Sequence, residues 1–304
     1  MQTHAVIACF QSAESWSILS DIERSIKAKI EAAGVPLKDW DIQINYGIKT
    51  GFNDAFIIDS AKRDIILDAC QSKDERQRTA EIIRPILRGR DIGRYSDSWA
   101  DLWLIWIPWH FPYHFDNSFQ GASKEAEDAF KTGYPTLYDH LSEYKNELSA
   151  RNKAETGIRY EWYALQRWGA NYWDIFSQPK IIWKRVGSII RFSYDEKGVL
   201  GLDSTCFATG KHIPYLCCVL NSSMGHYLLN GAPRTGTGDL LISVQAVEPI
   251  RVPVVQDMDD YFIDLVKRAS INPSKALDEE IDNLIFELYG LNQDEKDFII
   301  NNFQ

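Results

Sequence analysis

Cysteine is scarce and poorly spaced for chemistry. The chain has five (Cys9, Cys70, Cys206, Cys217 and Cys218), one adjacent pair among them and no Cys-x-x-Cys. That argues against a disulfide framework and against a structural zinc site. Reduced thiols and a cytoplasmic location are the expectation. No apolar run reaches membrane-spanning length, and the N-terminus lacks a basic-then-apolar leader, so no membrane is expected as a partner. Common enzyme signatures are missing too. Gly231-Ala-Pro-Arg-Thr-Gly-Thr-Gly238 lacks the lysine of a phosphate loop, no Gly-x-Gly-x-x-Gly follows a strand, and there is no Gly-x-Ser-x-Gly elbow. Internal repeats and low-complexity linkers are also absent.

A basic excess is missing from the whole chain but not from its parts. The formal charge is −10. Gln256 to Gln304 holds 12 acidic and 4 basic residues, a net of −8, which leaves only −2 for the first 255 residues. Within those, Arg84 to Arg94 sets four arginines against Asp91, a net of +3, and Arg151 to Arg191 carries eight basic and three acidic residues, a net of +5. Such local clusters, rather than the global balance, set an electrostatic footprint.

What is present is ample material for a core. The 304 residues are 45% hydrophobic and include 10 Trp, 14 Tyr and 14 Phe, which excludes a disordered chain. Ile18, Ile22, Ile26 and Ile30 predict an amphipathic helix over Ser15–Ala33, capped by Ser17 and stopped by Gly34-Val-Pro36. Asp41–Tyr46 alternates as a half-buried strand into a Gly47 loop, Phe56–Asp59 is the strand out, and Asp64–Leu67 reads as a further strand. Helices follow from the pattern at Lys73–Ile83, Ser123–Lys131, Pro135–Arg151 and Ile213–Leu229, and from Asp259 onward. Asp101–Ile107 reads as a strand buried on both faces, Lys180–Val186 and Ser188–Tyr194 as a strand pair, and Ile250–Val255 as a last strand.

Two polar loops stand out between apolar strands: Gly47-Ile-Lys-Thr-Gly-Phe-Asn-Asp-Ala-Phe-Ile-Ile-Asp59 and Leu87-Arg-Gly-Arg-Asp-Ile-Gly-Arg-Tyr95. Loops held this way present side chains to ligands. Lys49, Thr50 and Asn53 suit base edges or phosphates; Arg88, Arg90 and Arg94 can read guanine bidentately or clamp phosphate. Alternatively, Arg90 and Asp91 form a structural ion pair. Lys180, Lys184 and Arg185 beside Trp183 suit backbone contact. The 231–238 loop could approach phosphate through its amides and Arg234, or serve as a plain helix-to-strand turn.

Two metal-based readings compete. His110, His114 and Asp116 lie close in sequence, although Pro112 breaks any regular scaffold and a capping aromatic loop explains them as well. Asp139, Glu143 and Lys145 supply the residue types of a magnesium-dependent nuclease, on a segment whose period is helical.

Five segments in order then carry a resemblance: Gly47–Phe56, Leu87–Ile92, Tyr134-Pro-Thr-Leu-Tyr-Asp-His-Leu141, Gln178-Pro-Lys-Ile-Ile-Trp-Lys184 and Tyr215-Leu-Cys-Cys-Val-Leu-Asn-Ser222. Together they resemble the TaqI-like C-terminal specificity domain of adenine-specific DNA methyltransferases and type IIG restriction-modification enzymes, from about Trp16 to the helix at Leu284–Leu291. The resemblance implies a target recognition domain that reads a short double-stranded DNA sequence while another domain flips adenine and methylates it at N6. The Asn/Asp-Pro-Pro-Tyr/Phe motif and the S-adenosylmethionine loop of those enzymes have no match here. The chain is therefore expected to be inactive alone, with no catalytic residue, metal or cofactor of its own. Its partner would be a methyltransferase domain, with or without a nuclease, in cis or in trans; S-adenosylmethionine and magnesium belong to that parent enzyme. A nuclease and a stand-alone specificity or scaffold subunit, docking a partner through the acidic tail, are the alternatives. The expected fold is α+β: an N-terminal helix (1–36) at the junction to the catalytic domain, a mixed-sheet recognition domain (37–255) with packed helices, and a helical segment (256–304).

Overall fold

The computed structural model describes residues 19–256 and 258–303. Its first helix, α1 (Asp21–Ala33), opens on a capping box in which the Ser20 hydroxyl accepts from Glu23 N and the Glu23 carboxylate accepts from Ser20 N. The expected cap Ser17 and the stretch Ser15–Ile18 lie outside the described residues. A short strand β1 (Gly34–Pro36) leads to β2 (Ile42–Tyr46), and a helical turn α2 (Asn53–Phe56) leads to β3 (Ile57–Asp59). Asp64–Leu67 is not a strand. It lies within α3 (Ser60–Ala69), which Asp59 caps by accepting from Lys62 N. Helix α4 (Lys73–Ile82) runs into β4 (Ile83–Leu87), and β5 (Leu102–Ile105) follows.

After α5 (Lys124–Gly133), the helix expected over Pro135–Arg151 breaks at Glu143–Tyr144 into α6 (Pro135–Ser142) and α7 (Lys145–Ala150). Five strands come next: β6 (Lys180–Lys184), β7 (Val186–Gly187), β8 (Phe192–Asp195), β9 (Leu200–Gly201) and β10 (Thr205–Gly210). The helix expected over Ile213–Leu229 is likewise two, α8 (Ile213–Asn221) and α9 (Ser223–Leu229). Ser222 divides them, its Oγ donating to Val219 O and accepting from Gly225 N. The chain ends through β11 (Leu240–Leu241), the turn α10 (Val244–Val247), β12 (Arg251–Pro253), and three helices, α11 (Asp259–Ile271), α12 (Lys275–Leu288) and α13 (Gln293–Asn302).

The fold is α+β with mixed sheets, as expected. One sheet runs β2-β10-β6-β8, all antiparallel; a second runs β3-β5-β4-β9, in which β4 and β9 are parallel. β1–β12 and β7–β11 form two small antiparallel pairs.

The first sheet is a wall between two cores, because side chains alternate across a strand. Ile181, Trp183, Cys206 and Ala208 face a core built with α1, α8 and the C-terminal helices. Ile182 and Phe207, one residue along, face a second core built from the other sheet and the segments 106–123 and 151–179. Ile26 of α1, Val252 of β12, Phe262 of α11 and Ile285 of α12 share the first core with the sheet.

Candidate nucleic-acid interface

The turn Gly201–Thr205, which the sequence pattern does not single out, joins the basic segments. Gly47 N donates to Thr205 O (3.1 Å), Ile48 N to Gly201 O (2.7 Å), and Asp203 N to Ile48 O (2.8 Å). From the same turn Leu202 N donates to Leu87 O (2.9 Å), while Ser204 accepts from Gly89 N at Oγ (3.1 Å) and from Arg185 N at its carbonyl (2.9 Å). Glycine at 47 is required by this approach: a Cβ there would stand 2.1 Å from Leu202 O.

The three arginines of the 87–95 loop do different things. Arg88 grips the buried Asp91 through Nε (2.9 Å) and Nη2 (2.7 Å), while Asp91 also accepts from Arg88 N (2.8 Å). Burial works against the Asp91 charge, the Arg88 bonds outweigh it, and the carboxyl is held below its ordinary pKa. The structural ion pair is thus Arg88–Asp91, not Arg90–Asp91. Arg94 donates to Asn221 O through Nε (3.2 Å) and Nη2 (2.9 Å), and pairs with Asp278 of α12 at 2.7 Å. Arg90 is exposed and forms no ion pair among the described residues.

Lys180 is a correction. Its side chain is 1% exposed and its Nζ lies 2.5 Å from Asp195 Oδ2 and 2.8 Å from Phe176 O, facing Asp195 across β6 and β8. A charge in that position cannot neutralise a phosphate. Arg88 and Arg94 are likewise committed to internal partners. Thr50 is buried, its hydroxyl donating to Asn53 Oδ1 (2.6 Å) and its carbonyl accepting from Arg151 Nη1 (2.6 Å), so it shapes the loop. Asn53 remains exposed and Lys49 half-buried.

The fold does bring together three cations that form no ion pair among the described residues. Arg90, Lys184 and Arg191 line a cleft of about 180 Å³ with Gly89, Ser188 and Ile189, and no acidic residue lines it. Lys184 lays its stem on Gly89, where a Cβ would come within 2.8 Å of Lys184 Cγ. Arg185 follows Lys184 in the chain without lining the cleft, its guanidinium 5.9 Å from the Tyr46 ring. Lys49 gains a neighbour, the exposed Arg167, through paired backbone bonds of 2.9 Å. Sequence reasoning placed Arg167 and Arg191 inside a +5 stretch without selecting either. Arg234 is exposed in its own loop, donating to Gly238 O (3.1 Å) and Asn230 Oδ1 (3.2 Å).

The metal readings find no geometry. No group of three or more His, Cys, Asp or Glu suited to a metal ion occurs among the described residues. Lys145 pairs with Glu127 at 3.7 Å and lies over the Trp162 ring. His110 Nδ1 meets the buried Glu161 at 3.0 Å, and His114 packs among Trp106, Phe111 and Trp168, where burial lowers its pKa. The 108–119 segment is a capping aromatic loop.

Fold and surface define a class: a mixed α+β scaffold that gathers loops on one turn and turns a cationic cleft outward. The chain belongs to the family of TaqI-like C-terminal specificity domains, whose profile matches residues 84–238. No curated protein matches the sequence. Among solved structures it is similar to the type IIL restriction-modification enzyme MmeI, determined in complex with DNA: TM-score 0.54, 13% identity, covering 88% of this chain and 35% of that one. The type IIG restriction endonuclease BpuSI is also similar, with TM-score 0.45, 12% identity, and coverage of 89% and 34%. This chain spans about a third of the length of each. At 13% identity, the likeness to MmeI speaks for the fold alone.

Proposed function

We propose that this chain is the DNA target recognition domain of a restriction-modification enzyme. It selects a short duplex sequence for a methyltransferase domain carried in the same chain or on a separate subunit. The observation that supports this most is the cleft of Arg90, Lys184 and Arg191, lined by no acidic residue, in a member of a specificity-domain family. Arg90 would read a base edge, its planar fork forming no ion pair among the described residues. Lys184, Arg191, Lys49 and Arg167 neutralise phosphates, with Asn53, Arg185 and Arg234 at the margins. The finer reading is an adenine-N6 methyltransferase of type IIG, acting in the cytoplasm. S-adenosylmethionine would supply the methyl group and would be held by the methyltransferase part; the residues of this chain bind and orient the duplex.

The test is duplex binding by the chain across a salt series. Affinity should fall steeply, log K changing by about 0.9 per phosphate neutralised for each unit of log salt. Arg90→Ala should relax sequence preference at the position it reads, whereas Lys184→Ala should weaken all sequences alike. Binding indifferent to both salt and sequence would sink the proposal.

A further inference from the structure

Between β7 and β8 the chain runs through Ser188, Ile189, Ile190 and Arg191. Ile190 packs against the helical core, whereas Ile189, next to it, is 61% exposed. One side chain anchors the segment and the other projects from it. A lone exposed aliphatic group needs no explanation, but the surroundings of this one are specific. It lines the cleft of Arg90, Lys184 and Arg191, which no acidic residue lines, whereas on its other flank it borders a cavity of about 570 Å³ where Asp278, Glu279 and Asp282 stand against Arg94, Arg191 and Lys275, so that the phosphate-holding charge lies on the cleft side. Cations that hold phosphates bring whatever lies between the phosphates onto the apolar tip among them. Phosphate oxygens offer a butyl group nothing, whereas bases offer the thymine methyl at an edge or an apolar face between steps.

Resting on the DNA-binding reading above, we infer that Ile189 touches the bases of the bound duplex directly, by apolar contact. It contributes to sequence choice and not to the salt-dependent attraction, which separates its role from that of every cation around it.

The experiment selects duplexes from a random-sequence library with the full chain and, in parallel, with Ile189→Ser. The substitution is on the surface, so the unfolding midpoint should not move, and the salt slope of binding should be unchanged. The selected sequences should differ at one or two adjacent positions. Within the sequence chosen by the unsubstituted chain, replacing thymine by uracil at such a position should weaken binding by about fourfold, the worth of one buried methyl group. The variant should not notice that replacement. If the contact is a wedge between steps, 2-aminopurine placed there should instead brighten with the unsubstituted chain and stay dark with the variant. Identical selected sequences, with neither probe telling the two proteins apart, would overturn the inference. A selection with the unsubstituted chain that returns no common sequence would fail one level lower, at the DNA-binding reading itself.

Discussion

The two cores share a wall and differ in how closely their rings are gathered. The core toward α1, α8 and α11–α13 is largely aliphatic, filled by residues such as Leu216, Val219, Leu265 and Ile281 on helices. The core on the other side is crowded with rings: Trp106, Trp162, Trp168, Phe111, Phe130 and Tyr163 are all buried there. Trp106 stacks on Trp173 at 3.9 Å, and Phe130 meets Tyr163 at 4.7 Å. Helices interdigitate well with aliphatic side chains. Most of the rings on the other side come from the irregular 106–123 and 151–179 segments, with Phe130 from α5, and the polar atoms of Trp109 and Tyr163 satisfy carbonyls there. Trp109 Nε1 donates to Leu165 O, and Tyr163 Oη to Phe111 O. The cationic cleft lies over the seam, on loops rooted in both sides.

Removing one large ring from each face of the wall should have the largest effect. Trp183→Ala on the aliphatic side and Phe207→Ala on the aromatic side each empty a site no more than 1% exposed, and each should cost about 3–5 kcal/mol. Denaturant unfolding followed by tryptophan fluorescence and by circular dichroism decides how far the two cores are independent. If the wall makes them one cooperative unit, both variants shift a single transition; if not, each shifts only its own.

Next in size is a contrast within one loop. Arg94→Ala breaks the ties to Asn221 O and Asp278 and should cost about 1.5–3 kcal/mol, the range for hydrogen bonds to charged groups. Arg90→Ala should leave stability within about 0.5 kcal/mol while weakening sequence preference. Thermal melts paired with binding assays separate the two, and equal loss of stability from both would erase the distinction drawn between these arginines.

The smallest effect is a matter of pH, and it compares the regions once more. Burial works against the Glu295 charge, but bonds from Lys29, Ser25 and Asn292 outweigh it and lower its pKa, as Arg88 does for Asp91. A carboxylate whose pKa is depressed on folding adds stability that is fully present above its unfolded pKa. That stability is lost as pH falls through the lower, folded value. Both contributions should therefore fade as pH drops below about 4, the ordinary carboxylate range. Glu295→Gln should flatten the acid dependence of α13 docking on α1, and Asp91→Asn that of the arginine loop. Amide exchange resolved by region reads them separately.

Much of the helical part was legible because apolar spacing and caps are local. The breaks were not: Ser222 and the Glu143–Tyr144 kink interrupt runs whose apolar pattern continues straight through. Asp64–Leu67 looked like a strand because three apolar residues in a row fit either element, and the deciding Asp59 cap lies outside them. The strand β10 (Thr-Cys-Phe-Ala-Thr-Gly) is buried on both faces, so it shows no polar alternation to find. At the site, Arg90 and Lys184 could be named from sequence. Arg94 and Lys180 lost their roles to Asp278 and Asp195, partners that no local spacing reveals. Arg191 escaped because Ser188–Tyr194 reads as unbroken strand, whereas β7 leaves the wall to pair with β11 and frees 188–191 as a loop.

The Gly201–Thr205 turn has a further consequence, for anyone who would rewrite what this module chooses. The segments at 47–50, 87–90 and 184–187 are fastened to the same few backbone atoms and cannot be edited as separate letters. Ser204 holds the second and third, and its neighbours Gly201, Asp203 and Thr205 hold the first, so a substitution that shifts the turn re-aims all three, and pairs of changes in different loops should interact rather than add. Retargeting would then proceed by exchanging the turn and its loops together, as one cassette.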